Sequence, residues 1–194
     1  MVHSDFFRLV IEAFSELRVP YFVTGSVATS LYGEPRDTMD VDIVADLREE
    51  HVPALCARFA SPEYYLSEDA ARQAIRHKSQ FNILQSDTGL KADIMVPEMN
   101  AFNRSRFKRA REWPTSKNVR AFYTSPEDAI IKKMDFFREG GSEKHLRDIA
   151  GILKISPEDV DKEYVTRWAR DMDLTDIWEL VQSEVAKSEK KPGE

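Results

Sequence analysis

Asp40-Val41-Asp42 stands inside a β-branched, apolar run, residues 39–45, that reads as a strand. Side chains alternate along a strand, so Asp40 and Asp42 share one face while Val41 and Ile43 take the other. Two neighbouring carboxylates repel, and strands disfavour Asp, so the pair needs a compensating cation or exposure at a strand end. Oxygen donors of this kind suit Mg²⁺ or Mn²⁺. Taken alone, an Asp-x-Asp also fits two side chains that simply face water. Thirteen residues separate it from Gly25-Ser26, which lies at a turn between a β-prone run at 21–24 and a helical stretch at 27–32 closed by Gly33. Backbone N–H groups at a helix start attract phosphate, glycine permits close approach, and a serine hydroxyl can hydrogen-bond a phosphate oxygen. A third acid, Asp93, sits between Ala92 and Ile94 in a later strand that could lie beside the first pair. A phosphate anchor and three carboxylates able to hold two cations are the equipment of in-line phosphoryl transfer.

Gly25-Ser26, Asp40-Val41-Asp42 and an apolar-flanked Asp93 together resemble the nucleotidyltransferase superfamily of the DNA polymerase beta type. The run from Val23 to Asp42 is most similar to the small bacterial branch that contains AbiEii-type toxins and the minimal nucleotidyltransferases. The resemblance covers the first 96 residues well and extends more loosely over 125–148, through Pro126-Glu127-Asp128 and Arg147-Asp148. It implies an α/β (α+β) fold: a mixed-sheet, polymerase-beta-like core followed by a small helical half. It also implies an enzyme that moves a nucleoside monophosphate from an NTP to a hydroxyl with release of pyrophosphate. Gly25, Ser26, Arg36, Thr38 and Lys133 would bind the nucleotide. Asp40, Asp42 and Asp93 would hold two Mg²⁺ or Mn²⁺ ions, and these three with Lys133 would carry catalysis. AbiEii toxins usually have a second glycine where Ser26 stands, and a longer helical C-terminal half. Antibiotic nucleotidyltransferases of similar length share the core motif, so RNA or tRNA, a protein, or a small molecule can be the acceptor. The competing reading is a catalytically silent nucleotide-binding module or antitoxin-like partner on the same fold, with a protein partner.

The elements that must position these residues are also readable. Apolar residues from Phe6 to Leu17 recur at helical spacing after Ser4-Asp5, a plausible N-cap. Residues 81–84 and 91–96 flank Ser86-Asp87-Thr88-Gly89 and pair as a hairpin. From Ser125 the β signals stop, and four helical stretches follow near 126–139, 142–154, 157–171 and 174–187. The expected organisation is therefore a nucleotidyltransferase core at 1–124, a helical region at 125–187 and a frayed charged tail at 188–194. On a helical wheel Lys133 falls within the apolar arc of Ala129, Ile130, Met134 and Phe137, whereas Lys132 falls among Asp128, Asp135 and Glu139. A lysine on an inward face either carries its ammonium to an anionic partner or snorkels to solvent.

Composition sets the outer bounds. With 42% hydrophobic residues and 194 in all, the chain can build one sizeable core. Its apolar runs fall far short of the roughly 20 residues that span a bilayer, no signal peptide is readable, and a cytoplasmic protein is expected. A single cysteine, Cys56, excludes a cysteine-based zinc cluster or an internal disulfide. The net charge is −6, yet Arg104, Arg106, Lys108, Arg109, Arg111, Lys117 and Arg120 face only Glu112, so 104–120 carries +6. That segment is either a phosphate-binding run, with Phe107 and Trp113 for stacking, or a solvated helix face.

Overall fold

A computed structural model of the chain describes residues 5–35, 38, 40–116 and 119–189. They form two compact units. The first comprises residues up to Val27 together with Arg36–Thr124; the second comprises Ala28–Pro35 and the chain from Ser125 onward. Ser4, Arg36 and the tail beyond Glu189 lie outside the described residues.

The first unit is built on a seven-stranded mixed sheet. Its strands are β1 (Tyr21–Thr24), β2 (Asp40–Ala45), β3 (Tyr64–Leu66), β4 (Gln80–Gln85), β5 (Lys91–Met95), β6 (Arg111–Ser116) and β7 (Val119–Tyr123), in the order β3-β4-β5-β2-β1-β7-β6. β1 is antiparallel to β2 and parallel to β7, β2 is parallel to β5, and β4 with β5 forms the expected antiparallel hairpin. α1 (Asp5–Glu16) buries Phe6, Phe7, Val10, Ile11, Ala13 and Phe14, the stripe its 3.6-residue period foretells, and α3 (Val52–Arg58) buries Val52 and Leu55. The central strands are buried on both faces by Phe22, Val23, Ile43, Val44, Ile83 and Ile94.

Five elements of this unit escape the sequence reading. β3 is only three residues long. α4 (Glu68–His77) buries Ala71, Ala74 and Ile75, a stripe too short in side chain to register as hydrophobic periodicity, though Ser67 caps it through the Ala70 N–H at 3.2 Å. α5 (Ala101–Arg109) buries only Phe102 and Arg106. β6 contains Pro114, which is tolerated because β6 is the edge strand and pairs with β7 alone. β7 alternates Ala121 and Tyr123, both buried, with exposed Arg120 and Phe122.

The second unit holds α6 (Pro126–Gly140), α7 (Glu143–Ile155), α8 (Lys162–Asp171) and α9 (Thr175–Glu189), close to the four stretches expected. α6 packs against the other three. Consequently nine of its residues from Pro126 to Asp135 are buried, among them Glu127 and, from the arc that holds Lys132, Asp128 and Asp135. Each of these acids has an internal partner, Asp135 in Lys132 and Arg138. Asp128 accepts hydrogen bonds from Tyr164 Oη (2.8 Å) and Ser125 Oγ (3.0 Å), and Glu127 accepts from the Asp161 N–H (3.1 Å). The last α-helix, α2 (Gly25–Tyr32), spans the division, and Gly33 just after it lies so near α7 that a Cβ would meet Ile152 N at 3.3 Å. Among the described residues no helix is long and apolar enough to cross a membrane.

The burial pattern predicts which aromatic truncation the sheet tolerates. Phe22 is fully buried in β1, with its ring edge-on to Phe107 at 5.0 Å, whereas Phe122 is 43% exposed. In urea titrations Phe22→Ala should lose about 3–5 kcal/mol. Phe122→Ala should lose about 1 kcal/mol or less, and equal losses would contradict the packing described.

Candidate active site

Register brings the predicted acids together. Asp42 of β2 lies opposite Asp93 of β5, and Asp40 lies opposite Lys91. Thr24 of β1 is opposite Asp42, and Asn82 of β4 is opposite Asp93. Directly opposed residues share a sheet face, so Thr24, Asp42, Asp93 and Asn82 form one polar row across four strands. Their in-line neighbours Val41, Ile43, Ala92 and Ile94 point the other way and are buried. Further along β2, Val44 returns to the acids' face but is buried, so the acids sit where that face opens.

Each acid has a distinct environment. Asp93, with a side chain 15% exposed, accepts from Asn82 Nδ2 on Oδ1 and from Lys91 Nζ on Oδ2 at 2.8 Å. Lys91 Nζ also reaches Asp40 Oδ2 at 3.7 Å, and Asp40 is half exposed at the strand's start. Hydrogen bonding to Asp93 and the field of the three carboxylates raise the Lys91 pKa, so its ammonium stays charged. Lys91 and Asn82 were invisible as site residues in the sequence. The only signals were that Lys91 shares Asp93's strand face, two residues away, and that Asn82 interrupts the apolar run of β4.

Gly25 follows Thr24 directly and opens α2 with φ +65°, so the helix starts two residues earlier than its apolar spacing suggests. A Cβ there would stand 1.9 Å from Asp42 Oδ2. Only glycine accommodates both that contact and that backbone angle. Gly25 and Ser26 therefore place the first turn of α2 against the Asp42 carboxylate. Thr38 is turned to the main chain: its Oγ1 donates to the Asp40 carbonyl at 3.1 Å and accepts from the Asp40 N–H at 3.3 Å. Arg36 lies outside the described residues.

Among the described residues, no group of three His, Cys, Asp or Glu side chains converges as a metal site. The donors nonetheless fit a cation that arrives with a nucleotide, because Mg²⁺ is commonly held by one or two carboxylates plus substrate phosphates. One observation points that way: an ammonium already bridges two of the acids, Asp40 and Asp93.

No protein-family model matches the sequence, and no curated protein matches it. Nucleotidyltransferases are among its structural neighbours. The structure is similar to the lincomycin-bound lincosamide antibiotic adenylyltransferase LnuA, with 14% identity over 77% of this chain and 96% of that one and a TM-score of 0.49. It is also similar to an antigenic nucleotidyltransferase-like protein from Paracoccidioides brasiliensis (16% identity, 77% and 72% of the two chains, TM-score 0.44). A further neighbour is the antibiotic-resistance factor ANT(2'')-Ia (13% identity, 88% and 97%, TM-score 0.44). At such identities and scores no chemistry follows from the likeness. A function must come from the polar row itself.

Lys133, on α6 in the second unit, has an anionic partner: its Nζ lies 2.5 Å from Asp148 Oδ2, both side chains being 10% exposed. By helical spacing Asp148 lies away from the apolar stripe of Leu146, Ile149, Ala150 and Leu153 on α7. Because α7 packs against both α6 and α9, however, more than one of its faces is covered. One turn earlier, His145 packs on Phe136 at 5.7 Å, and burial followed by the Lys133 charge lowers its pKa. Lys132 bonds Asp135 at 2.6 Å and lies over the Phe136 ring at 4.6 Å.

The basic segment is neither one phosphate-binding run nor one solvated face. Arg106 is 5% exposed, with its guanidinium 4.7 Å from the centre of the Phe22 ring and bonded to Asn103 Oδ1 at 3.0 Å. Arg120 pairs with Glu112 at 2.9 Å, while Arg104 and Lys108 are exposed. The cations are distributed over helix α5 and the β6–β7 hairpin, which the linear count conceals, and Lys117 lies outside the described residues.

The Lys133–Asp148 pair yields a discriminating prediction. Lys133→Met leaves a buried carboxylate uncompensated, a loss of about 3–5 kcal/mol. The double variant Lys133→Met/Asp148→Leu should recover most of that loss in urea titrations. Recovery of turnover along with stability would mark the lysine as architectural, whereas a persistent kcat defect would mark its charge as part of the chemistry.

Proposed function

We propose that the protein is a metal-dependent nucleotidyltransferase that moves a nucleoside monophosphate from an NTP to a hydroxyl acceptor. The observation that carries this reading is the in-register Asp42–Asp93 pair with the Gly25-Ser26 helix start against Asp42. The first-turn N–H groups and the Ser26 hydroxyl would receive the triphosphate, with the helix dipole favouring its negative charge. Asp40, Asp42 and Asp93 would hold one or two Mg²⁺ or Mn²⁺ ions, whose Lewis acidity offsets charge on the reacting phosphate and lowers the acceptor hydroxyl's pKa. The acceptor oxygen forms a bond to the α-phosphorus as the bond to the bridging oxygen breaks. Pyrophosphate leaves, and the hydroxyl proton passes to a carboxylate or to water. Asp93, oriented on both oxygens by Asn82 and Lys91, is the acid best fixed to face that hydroxyl.

A nucleotide-binding module without turnover is the second reading, and one observation favours it. Lys91 already neutralises part of the charge that a metal would.

Incubation with each labelled NTP, Mg²⁺ and separate pools of small RNAs, proteins and small hydroxyl compounds decides between the readings. Label should pass to one pool. Asp42→Asn should cut transfer by at least about 100-fold, the scale for losing a group that stabilises charge in the transition state, while its melting temperature in metal-free buffer stays level or rises. Undiminished transfer by Asp42→Asn would refute the assignment.

For the acceptor, we infer that any contact with RNA uses the exposed cations rather than Arg106. Arg104→Ala/Lys108→Ala should weaken RNA binding and flatten the slope of log affinity against log salt by about 1–2, as expected for losing two phosphate contacts. NTP affinity should not change. An unaltered slope would turn the search toward small-molecule acceptors.

A further inference from the structure

Beyond orienting Asp93, Lys91 has been given no step in the chemistry above, yet among the described residues its ammonium pairs with two of the site's carboxylates. It enters the row from the edge: opposite Asp40 by register, on Asp93's face by strand period, and 31% exposed on its side chain. Its ammonium lies 2.8 Å from Asp93 Oδ2 and 3.7 Å from Asp40 Oδ2, while Asn82 engages Asp93 Oδ1. Both oxygens of Asp93 are therefore engaged by donors. A divalent ion approaching Asp93 meets an ammonium already hydrogen-bonded to that carboxylate at 2.8 Å, and two cations cannot share it without repulsion.

We propose that Lys91 is a resident counter-ion that gates metal loading. It holds Asp93 and Asp40 together in the absence of metal, opposes the entry of a free divalent cation, and yields to one delivered with a nucleotide. The delivered triphosphate supplies the negative charge to which the displaced ammonium turns. A lysine suits the task better than an arginine, because its compact charge rides on a flexible four-carbon stem and commits to no planar, bidentate geometry. On this view the second reading given above describes the resting state of the first. The inference rests on the proposal that the row binds a cation and a nucleotide, and it adds the order in which they can bind.

The test is Mn²⁺ binding without turnover, followed by the electron paramagnetic resonance signal of free Mn²⁺, in the presence and absence of a non-hydrolysable NTP analogue. In the wild-type chain the analogue should tighten Mn²⁺ binding by about 10- to 100-fold, the usual size of coupling between two sites. Lys91→Met should bind Mn²⁺ alone about 10- to 100-fold more tightly than wild type and should lose most of that coupling. Its melting temperature without metal should fall, because Asp40 and Asp93 then lose the ammonium between them, and Mn²⁺ should restore it. Lys91→Gln keeps a donor toward Asp93 and drops the charge; it should follow Lys91→Met in affinity, which keeps the test decisive if the methionine variant folds poorly. Equal Mn²⁺ affinity in wild type and both variants would overturn the gating role and leave the cation-binding proposal standing. Failure of every form to bind Mn²⁺, with or without the analogue, would overturn both.

Discussion

Like-charge repulsion inside a sheet is the constraint around which the first unit is arranged. Asp42 and Asp93 are forced into opposition by the pairing of β2 with β5, and that pairing is set by the buried neighbours Val41, Ile43, Ala92 and Ile94. A slip by one residue would turn the acids inward and the apolar residues outward, so the hydrophobic face holds the carboxylates where electrostatics alone would separate them. The compensation is local. Asn82 and Lys91 engage Asp93, Lys91 spans to Asp40, and Gly25 removes the Cβ that would collide with Asp42.

That arrangement lets three acids stand close together on one sheet. The repulsion is moderated by one ammonium and one amide at the open end of the face, where Asp40 remains half exposed.

The helical unit solves a different problem. α6 is covered by three other helices, so acids that would ordinarily face water are buried and must find donors. Ser125, Tyr164 and the Asp161 N–H supply them for Asp128 and Glu127, and Lys133 meets Asp148 at 2.5 Å. Buried, hydrogen-bonded polar groups of this kind are costly to disrupt one partner at a time, which ties the helices to one packing.

Much of this was legible in the chain itself wherever the information is local. The period-two run of β2, the turn at Gly25, the hairpin of β4 and β5, the α1 stripe and the four C-terminal helices are each specified by residues within a dozen positions of one another. The sequence therefore determined those elements, though not β3, α4, α5, β6 or β7, and nominated Asp40, Asp42 and Asp93. It did not reveal Lys91 and Asn82 as their neighbours, Asp148 as the partner of Lys133, or Arg106 as a buried cation stacked on Phe22. Those outcomes depend on which strands pair, in what register, and which helix faces are covered. Only the packed structure decides them, because burial, desolvation and cross-strand contact are properties of residues brought together from distant parts of the chain.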